Sequence, residues 1–280
     1  MNRGKMIPHK LYELLKSPFG RLLWSKDTGD SFNPASMFFQ SHLGATLVRQ
    51  GESVKNYDLG SGLVTNVGVL ALAYDWNVAA PSGAPVNVFS LAEWHVTGTG
   101  GTAAAATDIK LQTPSTNGGQ TPVEGTTVTL SAANLQKFQT VATVTYTGAE
   151  AVTEWGLLLG PTLTATTGSP FTAGSASTGT VTATPLTASS TTVQGSQNTV
   201  FEDTAAGSLS WGLVISNTTS VITVPAWYKT ADGTAGTAPV NTDAYVIRPV
   251  MWDHKVFSAI NVLNGDSIVF SYSLTISSGG

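Results

Sequence analysis

VFSAINVLNGDSIVFSYSLTI, residues 256–276, decides the fold class. In its second half Ile268, Phe270, Tyr272, Leu274 and Ile276 fall on one side of an extended chain. Ser267, Val269, Ser271, Ser273 and Thr275 fall on the other. Successive side chains of a strand point to opposite faces, so this is a strand with one buried face. Val256–Leu263 reads as a second strand. Asn264-Gly265 between them suits a type I′ turn, whose two central residues both need φ > 0. The expectation is a C-terminal β-hairpin.

The same period of two extends outward from this stretch. It is present in Val86, Val88 and Leu91 leading into Glu93-Trp94, in Ala142, Val144 and Tyr146, and in Leu209, Trp211, Leu213 and Ile215. Helical spacing occurs twice. Leu11, Leu14 and Leu15 share a face within 10–16, stopped by Pro18 and Gly20. Val67, Leu70, Ala71 and Tyr74 share one within 64–76, with Asn66 as N-cap and Pro81, Gly83 and Pro85 beyond the end. Residues 97–134 and 161–208 are dominated by Thr, Ala, Ser and Gly. Thr favours extended chain, but segments so poor in large apolar groups cannot drive a core. They are expected to form β-hairpin excursions or loops.

The predicted fold is mainly β: an antiparallel β-sandwich or jelly-roll-like domain with a short helical N-terminal arm. Residues 1–57 form the arm or docking segment, and 58–160 the first part of the β-domain with one short helix. Residues 161–244 are a Thr/Ser/Ala/Gly-rich insertion, and 245–280 the C-terminal hairpin that completes the domain.

Composition narrows the function. Charged residues are 11% of the 280, against roughly 25% in an ordinary soluble domain. Charge normally keeps proteins apart, so a chain this poor in it tilts toward a surface covered by partners. The net charge of -4 does not suggest a nucleic-acid binder. Cysteine is absent, which excludes disulfides, thiolate metal sites and a Cys nucleophile. No apolar run reaches the ~18–20 residues that cross a bilayer, and no signal peptide is read. Eight of the 13 basic residues lie in residues 1–55, with only four acids, so the N-terminal segment is basic and the remainder acidic.

Motifs that would carry chemistry are weak. Gly98-Thr99-Gly100-Gly101-Thr102-Ala103 matches a dinucleotide pattern, with Glu124 at ribose-acid distance, but Pro114, Gly118, Gly119 and Pro122 break any crossover helix. A glycine turn between strands is expected instead. Gly174 and Gly179 have P-loop spacing without the essential Lys. His9, His42, His95 and His254 show no metal-ligand spacing. His254 beside Asp253 resembles an oriented base, yet no nucleophile elbow accompanies it, and a surface or interface role is expected. Glu150 and Glu154 are a carboxylate pair only by proximity. Glu93-Trp94 and Glu154-Trp155 leave a polysaccharide-binding surface with exposed Trp as an alternative.

Several phrases, taken in order, carry a resemblance. They are Leu59–Asn66, Gly98-Thr99-Gly100 followed by Ala103–Asp108, Gln139–Thr143 leading to Tyr146, Ala151–Leu157, and Val256–Val262 closing on Asn264–Ile268. The ordered set resembles a family of tailed-bacteriophage virion structural proteins. It covers most of residues 58–160 and 245–280 and departs over 161–244. The resemblance implies a virion part with a β-sandwich-like core, and no catalytic residues to transfer.

On this reading the chain is not an enzyme and holds no cofactor or metal. It is expected in the virion, assembled in the host cytoplasm, as a capsid decoration or cement protein. Neck or tail components (collar, tube or fibre adaptor) and a receptor- or glycan-binding module are the alternatives. Its partners would be the major capsid protein or neck and tail proteins, with no nucleic acid and no membrane. A homo-oligomer, in the usual build of such proteins a trimer, is expected. The docking candidates are the arm's Trp24, Phe32, Phe38 and Phe39 with Lys10 and Arg21. Each large side chain buried would contribute ~1.5–3 kcal/mol, and many copies would act by avidity.

Overall fold

The computed structural model describes residues 36–77, 91–128, 137–161, 167–168, 172–175, 178–180, 199–205, 209–218 and 220–279. The fold is mainly β with antiparallel sheets, as the alternating pattern predicts. Ser41–Leu274 form one compact unit. The strands, in chain order, are β1 (Ser36–Arg49), β2 (Glu52–Gly60), β3 (Leu63–Val64), β4 (Ala92–Gly98), β5 (Val123–Glu124), β6 (Thr126–Thr127), β7 (Lys137–Thr145), β8 (Glu150–Leu159), β9 (Thr167–Gly168), β10 (Thr172–Ser175) and β11 (Thr178–Thr180). They continue with β12 (Thr199–Asp203), β13 (Ser210–Val214), β14 (Ser216–Asn217), β15 (Val221–Thr223), β16 (Tyr228–Lys229), β17 (Tyr245–Pro249), β18 (Met251–Val262) and β19 (Ser267–Gly279). One helix, α1 (Asn66–Asn77), is described.

Sheet I has the order β2-β1-β19-β7-β6 and sheet II the order β3-β18-β8-β4-β5. Ile268, Phe270, Tyr272 and Leu274 of β19 are all fully buried, as their alternation predicts. Trp155 of β8 stacks on Tyr272 (centroids 5.4 Å apart) and lies near Phe270 (6.4 Å), so side chains of the two sheets meet in one core. Sheet III (β16-β13-β12-β17-β9) and sheet IV (β10-β11-β15-β14) are built largely from residues 161–244.

The C-terminal strands form, but they are not a hairpin. β18 pairs with β3 and β8, while β19 lies between β1 and β7 in the other sheet. At the turn Gly265 has φ +85° and Asn264 does not have positive φ, so type I′ geometry is not adopted. The Gly265 N–H donates to the Tyr146 carbonyl (2.8 Å), and the Tyr146 N–H donates to the Asp266 carbonyl (2.9 Å). The Asp266 carboxylate accepts the Leu263 N–H (2.8 Å) and the Arg49 guanidinium (2.7 Å). The turn is therefore pinned to the end of β7 and to β1, and it carries the chain from one sheet to the other.

Two segment boundaries change. The expected arm, 1–57, contains β1 and most of β2, which pair from Leu43↔Gly60 to Arg49↔Glu52. Leu43, Ala45 and Leu47 are core residues. Gly44 and Thr46 between them, and the apolar Val48 that follows, blur the alternation in the sequence. The 161–244 segment does contribute a core: Phe201, Val214, Ile222, Val224 and Trp227 pack with Tyr245 and Ile247 of β17. β17 therefore belongs with the inserted strands rather than with a C-terminal hairpin. A hairpin excursion of the expected kind occurs at β10–β11.

Helix α1 keeps Val67 and Ala71 buried as its period predicts, with Leu72 beside them. Its N-cap is Thr65 rather than Asn66. The Thr65 hydroxyl accepts the Gly68 N–H (3.0 Å), and its carbonyl accepts the Val69 N–H (3.0 Å). Gly68 lets the helix approach Trp252, since a Cβ there would lie 2.9 Å from the Trp252 carbonyl oxygen. The predicted helix at 10–16, the stop at Pro81, Gly83 and Pro85, and Val86 and Val88 lie outside the described residues.

Candidate functional site

Every residue of β8 from Glu154 to Leu159 is buried, so both faces of this strand are covered. Trp155 faces sheet I. The opposite face is covered by the irregular segment 99–117, whose Leu111 packs with Val96, Leu158 and Met251. An irregular segment lying on a sheet brings backbone N–H groups that have no ladder to join. Two carboxylates of β8 supply the acceptors. Glu154 accepts the N–H groups of Gly100 (3.1 Å), Gln112 (2.6 Å) and Thr113 (3.2 Å). Glu150, two repeats of the pleat away, accepts the Thr116 N–H (3.0 Å) and the Ser115 hydroxyl.

His254 completes the clamp from β18. Its Nε2 lies 2.8 Å from Glu154 Oε1 and its Nδ1 2.7 Å from Asp108 Oδ2. Two carboxylates on two ring nitrogens require both nitrogens to donate, which is the imidazolium form. Burial opposes the charge, but the hydrogen bonds His254 donates to Glu154 and Asp108 outweigh it and hold its pKa above the ordinary value. Burial likewise opposes ionisation of Glu154. The bonds from His254 and the Gln112 and Thr113 N–H groups prevail and hold its pKa below the usual range. With four donors, Glu154 has its lone pairs filled.

This explains the glycine run. A Cβ on Gly100 would stand 2.5 Å from Glu154 Oε2, and one on Gly98 would stand 2.6 Å from it and 2.3 Å from the Thr113 carbonyl oxygen. The glycines admit a carboxylate of the same chain, and irregular chain, not a helix, follows them.

Other buried polar groups lie nearby. Asp253 points to the opposite face of β18 from His254, so the two neighbours in sequence are not a catalytic pair. Asp253 Oδ2 accepts the Tyr272 hydroxyl (3.0 Å), and its Oδ1 has no hydrogen-bond partner among the described residues. Burial pushes its pKa up to about 6. His95 is buried and pushed down to about 3 by burial, hence neutral, with its Nδ1 accepting the Trp155 indole N–H (3.2 Å). His254 has no free lone pair to take a proton, which separates this cluster from a base-and-nucleophile arrangement.

Two residues after His254, beyond Val256, the strand leaves its register. Val256 stands opposite Glu154 and Ile260 opposite Val152, so Phe257, Ser258 and Ala259 face the single residue Thr153. This bulge forms a ridge between two clefts. One, of about 480 Å³, includes Gly62, Ala103, Lys255 and Phe257 in its walls. The other, of about 440 Å³, lies against β2 and includes Lys55, Tyr57, Lys255 and Phe257. A third, of about 390 Å³, is lined by apolar side chains such as Ile109, Leu111 and Ile247 beside Lys110 and Arg248. Those two cations are bridged by the buried Glu202.

Of the docking candidates, Trp24, Phe32, Lys10 and Arg21 lie outside the described residues. Phe38 and Phe39 sit in β1, and Phe39 is half-buried. His254 is buried, not at the surface, and its partners Asp108 and Glu154 lie 146 and 100 residues away in sequence. Only the mixed position of an acid in an apolar strand, Glu154 between Val152 and Leu157, hinted at them. Trp155 is fully buried, which removes it as an exposed sugar platform, and Trp94 is partly buried beside Val96, Leu111, Leu158 and Met251. No metal-binding group of three or more His, Asp or Glu occurs among the described residues. No helix among them is long and apolar enough to cross a membrane. Comparisons with protein-family models, curated proteins and solved structures find no match to this chain.

Proposed function

We propose that this chain is a virion structural protein of a tailed bacteriophage, acting as a capsid decoration or cement subunit rather than as an enzyme. The observation that carries the reading is where the charge goes. Among the described residues five acids (Glu154, Glu202, Asp203, Asp253 and Asp266) are buried. A chain already short of charge therefore spends part of it inside, on holding irregular segments and turns. The surface is left to Thr, Ser, Asn and Gln, which suits contact with neighbours better than a life apart in solution.

In this reading sheets I and II form a sandwich, sheets III and IV an added lobe, and the basic residues ahead of β1 dock in trans. The ordered resemblance to phage structural proteins supports the same class. Neck or tail subunits are the alternative within that class. Deleting the gene from the phage separates them. For a cement protein, particles still assemble but release their DNA at a lower temperature than wild type, and purified protein restores the resistance. Tailless or unjoined particles that the added protein does not rescue would point to the neck or tail. Particles unchanged in composition and stability would sink the proposal.

A further inference from the structure

The ridge Phe257–Ala259 stands outside the β18–β8 ladder and shares a cleft with β2. A bulge that sets three residues against one re-aims side chains, and such features recur where sheets bind something. Seven Lys and Arg residues are described: Arg49, Lys55, Lys110, Lys137, Lys229, Arg248 and Lys255. Arg49, Lys110 and Arg248 are ion-paired. Of the other four, for which no ion pair occurs among the described residues, two line this one cleft. Lys255 donates one proton to the Ser61 carbonyl (2.6 Å), which fixes its ammonium at the wall and leaves two donors. Lys55 sits 4.6 Å from the centre of the Tyr57 ring. The cleft's acid, Asp58, is held by His42 (3.0 Å) and the Gly60 N–H (2.9 Å).

We propose that the cleft between β2 and the ridge binds a carboxylate-bearing saccharide, with Lys55 and Lys255 on the carboxylate and Tyr57 and Phe257 against the sugar's C–H faces. Two ammonium groups select an anion. Two half-buried aromatic rings supply apolar walls that a simple inorganic anion would leave unused. The exposed hydroxyl of Ser258 remains for a sugar hydroxyl. A neutral sugar would leave the two cations without purpose. The proposal goes beyond the virion reading and does not need it: saccharide binding and particle location are read out separately.

The test is calorimetric titration of the full chain with oligogalacturonate and, in parallel, with the methyl-esterified oligomer, which has the same rings without the charge. Binding of the acid form, with little or none of the ester, is expected. Lys55→Ala should weaken it about ten-fold, the loss of one charge-assisted contact. Lys55→Arg should restore most of it. Lys137→Ala and Lys229→Ala, outside the cleft, should leave it unchanged. A thermal melt checks that each variant folds. Equal binding of ester and acid, no effect of Lys55→Ala, or binding of sulfate or poly-glutamate as tight as that of the sugar would each overturn the proposal. The last two would indicate a generic anion site or an acidic protein partner.

Discussion

Glu154 is a fully buried carboxylate, and His254 between it and Asp108 is its counter-charge. Removing one partner of a buried pair leaves the other uncompensated, which costs about 3–5 kcal/mol. Glu154→Gln should lower the unfolding free energy by about that much in urea. The deficit should depend on pH. His254's pKa is raised, so its stabilisation is complete below its ordinary 6.5 and fades as pH rises through the raised value. Glu154's pKa is lowered, so its stabilisation is complete above its ordinary 4.5 and fades as pH falls through the lowered value. The deficit should be largest between those limits and shrink on both sides. Asp253 behaves oppositely. Its folded pKa, about 6 against 3.8, means the folded protein binds the extra proton, so stability falls as pH rises across that interval. Asp253→Asn should gain on the order of 3 kcal/mol over wild type above pH 6 and nothing below pH 4. An unchanged pH-stability curve in that variant would refute the assignment. None of these pairings was legible in the sequence. Asp253 and His254 are adjacent, but a strand sends neighbours to opposite faces, and the true partners meet only through the fold.

At the scale of elements, alternation identified β19 and β7 because one face of each is apolar and the other is mostly Thr or Ser. It missed β1, where Gly44 and Thr46 separate buried Leu43, Ala45 and Leu47. It also misjudged the connection between β18 and β19. Asn-Gly fits a hairpin locally, but the hydrogen bonds of Gly265 and Asp266 to Tyr146 and Arg49 are long-range. The segment 99–117 looked like a loop and is one, yet it serves as the outer cover of sheet II. Its glycines offer a matched pair of tests. Gly100→Ala forces a Cβ to 2.5 Å from Glu154 Oε2 and 2.8 Å from Gln112, while Gly101→Ala meets nothing within 4 Å. The first should destabilise by about 2–3 kcal/mol, as overpacking does. The second should stay within about 0.5 kcal/mol. Similar losses for both would mean the clamp does not close as described. Deleting residues 1–57 removes β1 from the interior of sheet I, so that truncation should fail to give a cooperatively folded protein. Deleting 1–35 spares both strands, and on the arm proposal it should yield a folded protein that no longer attaches to particles.

For the whole molecule, composition was legible from the start: few charges, no cysteine, abundant Thr and Ser. It pointed to β-structure and to contact with neighbours. The organisation of the described residues into four sheets was not, because Phe201, Ile222 and Trp227, which build the core of the inserted strands, are scattered among polar runs. The claim that unites the scales is that this chain is a built-in part of a phage particle. The most direct measurement is its copy number in purified virions, by quantitative mass spectrometry against the major capsid protein. The decoration reading predicts about one copy per capsid subunit or per few subunits. A few copies per hundred would move the protein to the neck or tail, and its absence from particles would contradict the account.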